Sequence, residues 1–159
     1  MVNKWFFQII FIVLLLSGCM TVRYENSIII NGPKDVVFMI LEDYENYPNI
    51  IPELHARIEI VSENRTGLGV QFINLSTFGG HKIESLYEVV EYRFNEYIKM
   101  ENRTQFGSTE LRVEKTNENK TRYTLINYVR IPFFMRKRLF RIFDEELEII
   151  REIVESSNN

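Results

Sequence analysis

Apolar and polar positions divide this chain into three parts. Residues 5–16 are apolar except for Gln8. Residues 27–51 combine a short apolar run with helical spacing, and from residue 56 to residue 131 apolar and polar side chains mostly alternate with a period of two, which is typical of strands with one buried face. From residue 132 to about residue 156, apolar residues return every three or four positions, as on one side of a helix. The pattern predicts one domain rich in strands that ends in a long helix.

The middle part begins with one strand and two helices and continues as a series of strands. Residues 27–31 form a predicted strand, residues 33–42 a helix with Pro33 at its start, and residues 46–51 a short second helix or turn. The strands predicted after them lie at residues 56–63, 67–76, 81–93, 96–104, 108–116 and 121–131. The short connections between these strands are typical of consecutive antiparallel hairpins.

The predicted C-terminal helix has an apolar face that covers about half of its circumference. At about 100° per residue, one arc contains Leu139, Phe140, Phe143, Leu147, Ile150 and Val154. A helix of about 24 residues is about 36 Å long, which is enough to cover a curved sheet. Glu146 lies within the apolar arc, and a buried carboxylate needs a partner or a raised pKa.

Composition adds constraints to this picture. The chain of 159 residues suits one domain, and its formal net charge of −3 gives no reason to expect nucleic-acid binding. The 12 Phe and 8 Tyr residues can build a core or line a cavity. Two His residues and one Cys argue against a zinc site made of protein side chains, so we expect no metal and no cofactor.

The N-terminal segment has the pattern of a secretory signal. Lys4 is the only charged side chain before Arg23, and it precedes the apolar run. The run of twelve residues is too short for a helix that crosses a bilayer. It leads into Leu16-Ser17-Gly18-Cys19, which resembles the lipobox of bacterial lipoproteins. In that family the cysteine is diacylglycerylated and the peptide before it is removed.

The lipobox resemblance implies a division of the chain and a location. Residues 1–18 would be the signal peptide, residues 19–26 the lipidated Cys19 and a short tether, residues 27–156 the domain, and residues 157–159 a tail. The protein would be lipid-anchored in a bacterial cell envelope, outside the cytoplasm. In a diderm it would face the periplasm from the outer membrane, because Met20 rather than Asp follows the cysteine. The alternative is a signal anchor with an incidental cysteine.

The order of the predicted elements and one stretch of sequence resemble a known superfamily. Residues 28–61, IIINGPKDVVFMILEDYENYPNIIPELHARIEIV, combine a strand, a small residue before proline, a helix with an acidic-aromatic end and a YP…P pattern. This is similar to the opening of SRPBCC proteins, which include START domains, plant Bet v allergens and polyketide cyclase/dehydrase proteins. Ubiquinone-binding START proteins share the YP…P feature.

This resemblance covers residues 27–156 and implies an α+β helix-grip fold. In that fold a curved antiparallel sheet of about seven strands wraps around a long C-terminal helix, and two short helices follow the first strand. A deep apolar cavity lies between sheet and helix, and such cavities suit hydrophobic ligands. The candidate ligand-binding residues are Phe72, Asn74, Tyr87, Asn127, Leu139, Phe143, Glu146, Leu147 and Ile150.

Each candidate has a structural alternative. The apolar residues could form an ordinary core, and Asn74 and Asn127 could mark a bulge or a strand end. Glu146 could pair with an inward-facing side chain or lie at an exposed helix edge.

A basic cluster opens the predicted C-terminal helix. The candidate membrane-facing residues are Arg136, Lys137, Arg138 and Arg141. Such a cluster is attracted to anionic lipid headgroups. The alternative is an ordinary solvated helix face.

The sequence favours binding over catalysis. No nucleophile or orienting carboxylate lies at a recognisable spacing from His55 or His81, and no catalytic residue is predicted. The leading interpretation is a membrane-anchored lipoprotein that binds or transfers a hydrophobic molecule, such as a lipid, a quinone or a polyketide-like ring. The alternatives are a cyclase/dehydratase-type enzyme that uses the same cavity and an interaction protein with a filled core.

Overall fold

The helices and strands of this protein follow the predicted order. The computed structural model describes residues 19–78, 81–117 and 119–157. The predicted signal peptide, residues 1–18, and the last two residues of the predicted tail lie outside these described residues.

Seven strands and three helices make up the described chain. The strands are β1 (Cys19–Ile30), β2 (Arg57–Ile60), β3 (Gln71–Phe78), β4 (His81–Arg93), β5 (Tyr97–Asn102), β6 (Gly107–Asn117) and β7 (Lys120–Pro132). The helices are α1 (Lys34–Glu42), α2 (Tyr47–Ile50) and α3 (Arg136–Ser157). Single 3₁₀ turns, Tyr44–Asn46 and Phe133–Met135, precede α2 and α3.

The strands form one antiparallel sheet in the order β1-β7-β6-β5-β4-β3-β2. Consecutive strands from β2 to β7 are neighbours, as expected of hairpins, and β1 closes the other edge by pairing with β7. The sheet is open and curved, and α3 packs across β1 and β7. The predicted α+β helix-grip fold is confirmed.

The start of β1 corrects the predicted tether. Residues 19–26 pair with β7 in continuous register, from Cys19↔Pro132 to Asn26↔Leu125. A free tether was therefore the wrong expectation for this segment, and it belongs to the sheet. The sequence signal was present, because apolar Met20, Val22 and Tyr24 alternate with polar residues.

Burial explains why this segment is a strand. Val22 and Tyr24 are 6% and 5% exposed. The Tyr24 ring lies 5.0 Å from the Phe143 ring of α3, centroid to centroid. The Tyr24 hydroxyl donates a hydrogen bond to Asp144 Oδ1 at 2.6 Å. These contacts join the first strand to the last helix, so residues 19–26 contribute to the folded domain.

The predicted apolar arc of α3 faces the sheet. Its buried residues are Leu139, Ile142, Phe143, Glu146, Leu147, Ile150 and Val154. On the opposite side the helix presents charged residues, including the ion pair between Arg141 and Glu145 at 3.4 Å. The helix therefore has one face against the sheet and one in solvent.

The segment between β1 and β2 covers one end of the sheet. α1 packs against β6, β7 and α3, and it buries Val37, Phe38 and Leu41. The 3₁₀ turn and α2 bury Tyr44 and Tyr47 next to it. The Tyr47 hydroxyl donates a hydrogen bond to the Leu41 carbonyl oxygen at 2.8 Å, which ties the two helices together. The inner side of this end is packed, and the cavity described below borders the first half of α3.

Candidate functional site

A cavity of about 430 Å³ lies between the inner face of the sheet and the first half of α3. Its volume falls within the range of roughly 300–1,000 Å³ that is usual for small-molecule sites. Side chains of β3 to β7 form the floor and walls, residues 53–55 form one side, and α3 forms the roof. Toward the C-terminal half of α3, where α1 and α3 are in contact, the inner face is packed instead.

Stacked aromatic rings form one wall. Phe72 and Tyr87 are direct partners in the pairing of β3 with β4, and their rings stack at 5.4 Å with an angle of 10° between planes. Tyr44 continues the stack behind Phe72 at 5.0 Å and 17°. Phe72 and Tyr87 line the cavity. This wall is flat, apolar and held in place by three layers of rings.

Glu146 is the acidic group in the buried roof of the cavity. The residue is 6% exposed, and no hydrogen bond or ion pair joins it to another described residue. Burial alone raises the pKa of its carboxyl group to about 8. Glu146 is not at an exposed edge and has no ion-pair partner among the described residues, but the inward-facing Tyr47 and Tyr123 lie close enough for its charge to raise their pKa values. At neutral pH the side chain is a neutral carboxylic acid that can donate a hydrogen bond.

His55 and Asn74 form a second polar group on the opposite side. Burial lowers the pKa of His55 to about 4, and the nearby Asn74 side chain opposes part of that shift. The imidazole is therefore neutral at pH 7, and it lies 5.3 Å from the Tyr47 ring. Among the described residues neither His55 Nδ1 nor Asn74 Oδ1 has a hydrogen bond of good geometry, although the two side chains lie close enough to interact with each other. Buried polar atoms normally have a well-formed hydrogen bond, and a ligand in the cavity would supply one.

The Asn127 side chain lies in the floor of the cavity, and only its oxygen has a hydrogen-bond partner among the described residues. Its Oδ1 accepts a hydrogen bond from the Thr109 hydroxyl at 2.6 Å, across the pairing of β6 with β7. The Asn127 side chain is 4% exposed, and both residues line the cavity. The amide nitrogen of Asn127 remains as a donor toward the cavity.

Solved structures share this architecture. Comparison of the sequence with protein-family models and with curated proteins finds no match. Zhui aromatase/cyclase of Streptomyces sp. R1128 is 16% identical, with a TM-score of 0.72 over 88% of this chain and 97% of that chain. A START superfamily protein from Mycobacterium smegmatis is also 16% identical, with a TM-score of 0.68 over 84% of this chain and 97% of that one.

A third match is norcoclaurine synthase from Thalictrum flavum, solved in complex with dopamine and hydroxybenzaldehyde. It is 11% identical, with a TM-score of 0.64 over 88% of this chain and 90% of that chain. This chain has the START-type (SRPBCC) fold. The predicted resemblance is confirmed at the level of the fold.

The START-type cavity brings together most of the candidate residues. Seven of the nine line it: Phe72, Asn74, Tyr87, Asn127, Leu139, Phe143 and Glu146. Their faces could not be chosen from the sequence, because the strands carry apolar residues on both sides. Pairing across the sheet decides the choice for the four strand residues and directs them to the space that the three residues of α3 cover.

Two candidates are corrected by the structure. Leu147 and Ile150 are 1% and 0% exposed and belong to the packed core, outside the lining of the cavity. Leu147 is turned about 100° from Glu146 on the helix, and Ile150 lies one turn farther on. At that point α3 has reached the end that α1 and α2 cover, and no space remains.

Several lining residues were not predicted from the sequence: His55, Ser85, Met100 and Phe106. Ser85 follows from the period of two once Tyr87 is placed on the inner face, and Met100 follows only from its pairing with Val89. His55 and Phe106 lie outside strands, where no periodicity indicates a direction.

The basic cluster lies outside the cavity. Arg136, Lys137, Arg138 and Arg141 are all exposed. The Arg136 guanidinium lies over the Phe140 ring at 5.1 Å, and Arg141 pairs with Glu145. Contact of this cluster with a membrane stays a prediction.

No described helix is both long and apolar enough to span a membrane. No group of three or more His, Cys, Asp or Glu residues in the described part of the chain could hold a metal ion.

Proposed function

We propose that this protein binds a hydrophobic small molecule in its START-type cavity while a lipid on Cys19 holds it at a membrane. One observation above all supports binding: Glu146, a carboxyl group that makes no hydrogen bond or ion pair with any described residue, is buried in the roof of an open space of about 430 Å³. In a filled core this group would carry a desolvation cost without compensation. The cavity also argues against the alternative of an interaction protein with a filled core.

The walls favour a particular ligand chemistry. The stacked rings of Phe72 and Tyr87 suit a flat apolar ring system or an unsaturated chain. Protonated Glu146 would donate a hydrogen bond to a carbonyl or hydroxyl oxygen of the ligand. His55 and Asn74 would bind a second polar atom. We expect a mostly apolar ligand with one or two oxygen-containing groups, such as a quinone, a polyketide-like ring or a lipid.

Burial of the ligand would supply most of the affinity. Each Å² of apolar surface removed from water contributes roughly 25 cal/mol before the costs of association. The few polar groups would orient the ligand rather than hold it, because each hydrogen bond replaces one to water.

The anchoring part of the proposal rests on the sequence. Leu16-Ser17-Gly18-Cys19 resembles a lipobox and follows a signal-like apolar run. Cys19 is the only cysteine of the chain, so it has no internal disulfide partner. A binding protein held at a membrane has ready access to apolar molecules that dissolve in that membrane.

The test is native mass spectrometry of the full chain expressed in a bacterial host and purified from its membranes, followed by extraction of bound molecules. We expect a diacylglyceryl-modified Cys19 and an apolar ligand in stoichiometric amount. The affinity of the extracted ligand should fall as pH rises past about 8, where Glu146 loses its proton. In Glu146→Gln this pH dependence should vanish. An empty protein that also fails to take up apolar molecules would contradict binding.

A second candidate function is catalysis of the cyclase/dehydratase type. The specific observation is the pair of titratable groups in one cavity, with the pKa of Glu146 raised to about 8 and that of His55 lowered to about 4. At neutral pH the first can give a proton and the second can accept one, as acid–base catalysis requires. The same extraction distinguishes the candidates. An enzyme would yield a product lighter by one water in the wild type and the unconverted molecule in Glu146→Gln.

A further inference from the structure

We propose that the rim of the cavity docks on the bilayer, so that the ligand passes between membrane and cavity without crossing water. This inference deepens the proposed function and rests on it for the ligand. The docking surface, called the rim here, consists of Met20, Phe106, Phe133 and Phe134 with the flanking basic residues Arg130, Arg136 and Lys137. Its partner is a lipid bilayer that contains anionic headgroups.

The register of the sheet brings the parts of the rim to one end of the molecule. Met20 pairs with Ile131 at the start of β1 and the end of β7. Gly107, the residue after Phe106, pairs with Val129. Phe133 and Phe134 follow Pro132 directly. Three separate segments therefore meet where β7 leads into α3.

The rim surrounds the place where the cavity reaches the surface. Phe106, Arg130, Pro132 and Met135 all line the cavity, and Phe106 and Arg130 are exposed. The 3₁₀ turn Phe133–Met135 lies between two lining residues. A surface that covered the rim would therefore also cover the opening.

The apolar side chains of the rim have no cover within the described chain. Phe106, Phe133 and Phe134 are 62%, 68% and 68% exposed, and Met20 is 46% exposed. The Phe133 and Phe134 rings touch edge to face at 5.9 Å. A cluster of large exposed apolar residues at one place marks an interaction surface rather than scattered exposure.

Two further observations select a bilayer as the partner. The exposed side chains of Arg130, Arg136 and Lys137 flank the phenylalanines, and basic residues beside aromatic ones suit anionic headgroups above an apolar interior. Cys19, the proposed lipid attachment point, pairs with Pro132. From standard Cα spacings, the Cα atoms of Cys19 and Phe133 lie at most about 10 Å apart. A lipid at Cys19 would enter the membrane beside the phenylalanines.

The test measures the depth of single labels in the lipidated full chain on vesicles. Because the only native thiol would be consumed by lipidation, Phe133→Cys and Phe106→Cys each offer one site for an environment-sensitive dye. The matched control is Phe94→Cys, a phenylalanine that is 70% exposed in the turn at the other end of β5. The vesicles contain phosphatidylethanolamine and phosphatidylglycerol, with a quencher on the acyl chains.

We expect quenching at positions 106 and 133 to exceed that at position 94 several-fold. Equal, weak quenching at all three positions on protein that floats with the vesicles would overturn docking and leave the anchor intact. Strong quenching at 106 and 133 in an unlipidated variant that also carries Cys19→Ser would support docking by the rim itself, independently of the anchor. Because two rim positions are labelled, poor folding of one variant alone could not produce the expected quenching at both.

Discussion

At the scale of single residues, Glu146 shows which features of the site can be predicted from the sequence and which cannot. Its place in an apolar arc is visible in the sequence, and burial is the physical reason for its raised pKa. The sequence could not show that the residue makes no hydrogen bond or ion pair with any described residue. That depends on which side chains of β3, β6 and β7 face it, and the sheet places Asn74, Thr109 and Asn127 around a space rather than an arginine or lysine against the carboxyl group.

The first prediction concerns stability between pH 6.5 and 8. The pKa of Glu146 is about 8 in the folded protein and near 4.5 in the unfolded chain. Across this window the folded state holds a proton that the unfolded state has lost, so the free energy of unfolding should fall as pH rises. The decrease should be about 1.5 kcal/mol, measured by urea unfolding at both pH values.

Glu146→Gln is the control for this prediction, because it removes the titration and keeps the shape. In this variant the decrease in the free energy of unfolding that residue 146 causes between pH 6.5 and 8 should be absent. His55 acts in the opposite direction below pH 6.5, where the unfolded chain gains a proton that the folded protein binds only near pH 4. If the free energy of unfolding changed equally with pH in the wild type and the variant between pH 6.5 and 8, Glu146 would be ionised in the folded state.

At the scale of elements, β1 shows how a long-range partner creates structure. Met20, Val22 and Tyr24 alternate with polar residues, but three apolar residues are too few to predict a strand from periodicity alone. The strand forms because β7 supplies a continuous partner and α3 supplies Phe143 and Asp144 as contacts for Tyr24. Pairing between strands about a hundred residues apart leaves no local trace in the sequence.

The second prediction distinguishes a strand from a tether. Val22→Ala should reduce the free energy of unfolding by about 1–3 kcal/mol, because it removes two methyl groups from a buried position. Thr21→Ala, at an exposed neighbouring position, should change it by less than about 0.5 kcal/mol. Chemical denaturation of both variants gives the comparison. If both variants unfolded like the wild type, residues 19–26 would not belong to the stable sheet.

At the scale of the whole molecule, the balance between core and cavity is set by the fit of helix to sheet. α3 carries apolar residues along its whole inner face, and the sequence gives no sign of where packing stops. Leu147 and Ile150 pack tightly, whereas Leu139 and Phe143 line open space. Leu147 and Ile150 belong to the core cluster that also contains Val37, Phe38 and Leu41 of α1, whereas the first half of α3 borders the cavity.

The third prediction fills the cavity. Ser85 is 5% exposed on the inner face of β4 and lines the cavity. Ser85→Leu should weaken the binding of an apolar fluorescent dye such as anilinonaphthalene sulfonate at least tenfold. Stability should stay the same or rise by about 1 kcal/mol, because the added side chain enters existing space. Fluorescence titration and urea unfolding measure the two effects.

Leu147→Met is the matched control for the cavity, since it keeps core volume at a buried position outside the lining. It should leave dye binding unchanged. Unchanged dye binding in Ser85→Leu would place the dye, and by extension the ligand, somewhere other than this cavity.

The sequence by itself determined the order of the elements, the fold class and the apolar face of α3. These depend on local periodicity, on turn residues and on a resemblance carried by residues 28–61. It also pointed to candidate lining residues, namely aromatic and amide residues within apolar strands and Glu146 within the apolar arc of α3, but not to the faces that the strand residues occupy.

The tertiary structure alone decided which side of each strand faces the cavity, where the cavity ends, and that residues 19–26 belong to the sheet. It also placed His55 and Asn74 in the same cavity as Glu146 and gathered Phe106, Phe133 and Phe134 at one rim. The physical reason is common to all of these. They depend on register and curvature, which arise from contacts between residues far apart in the chain, whereas periodicity records only the buried face of each element.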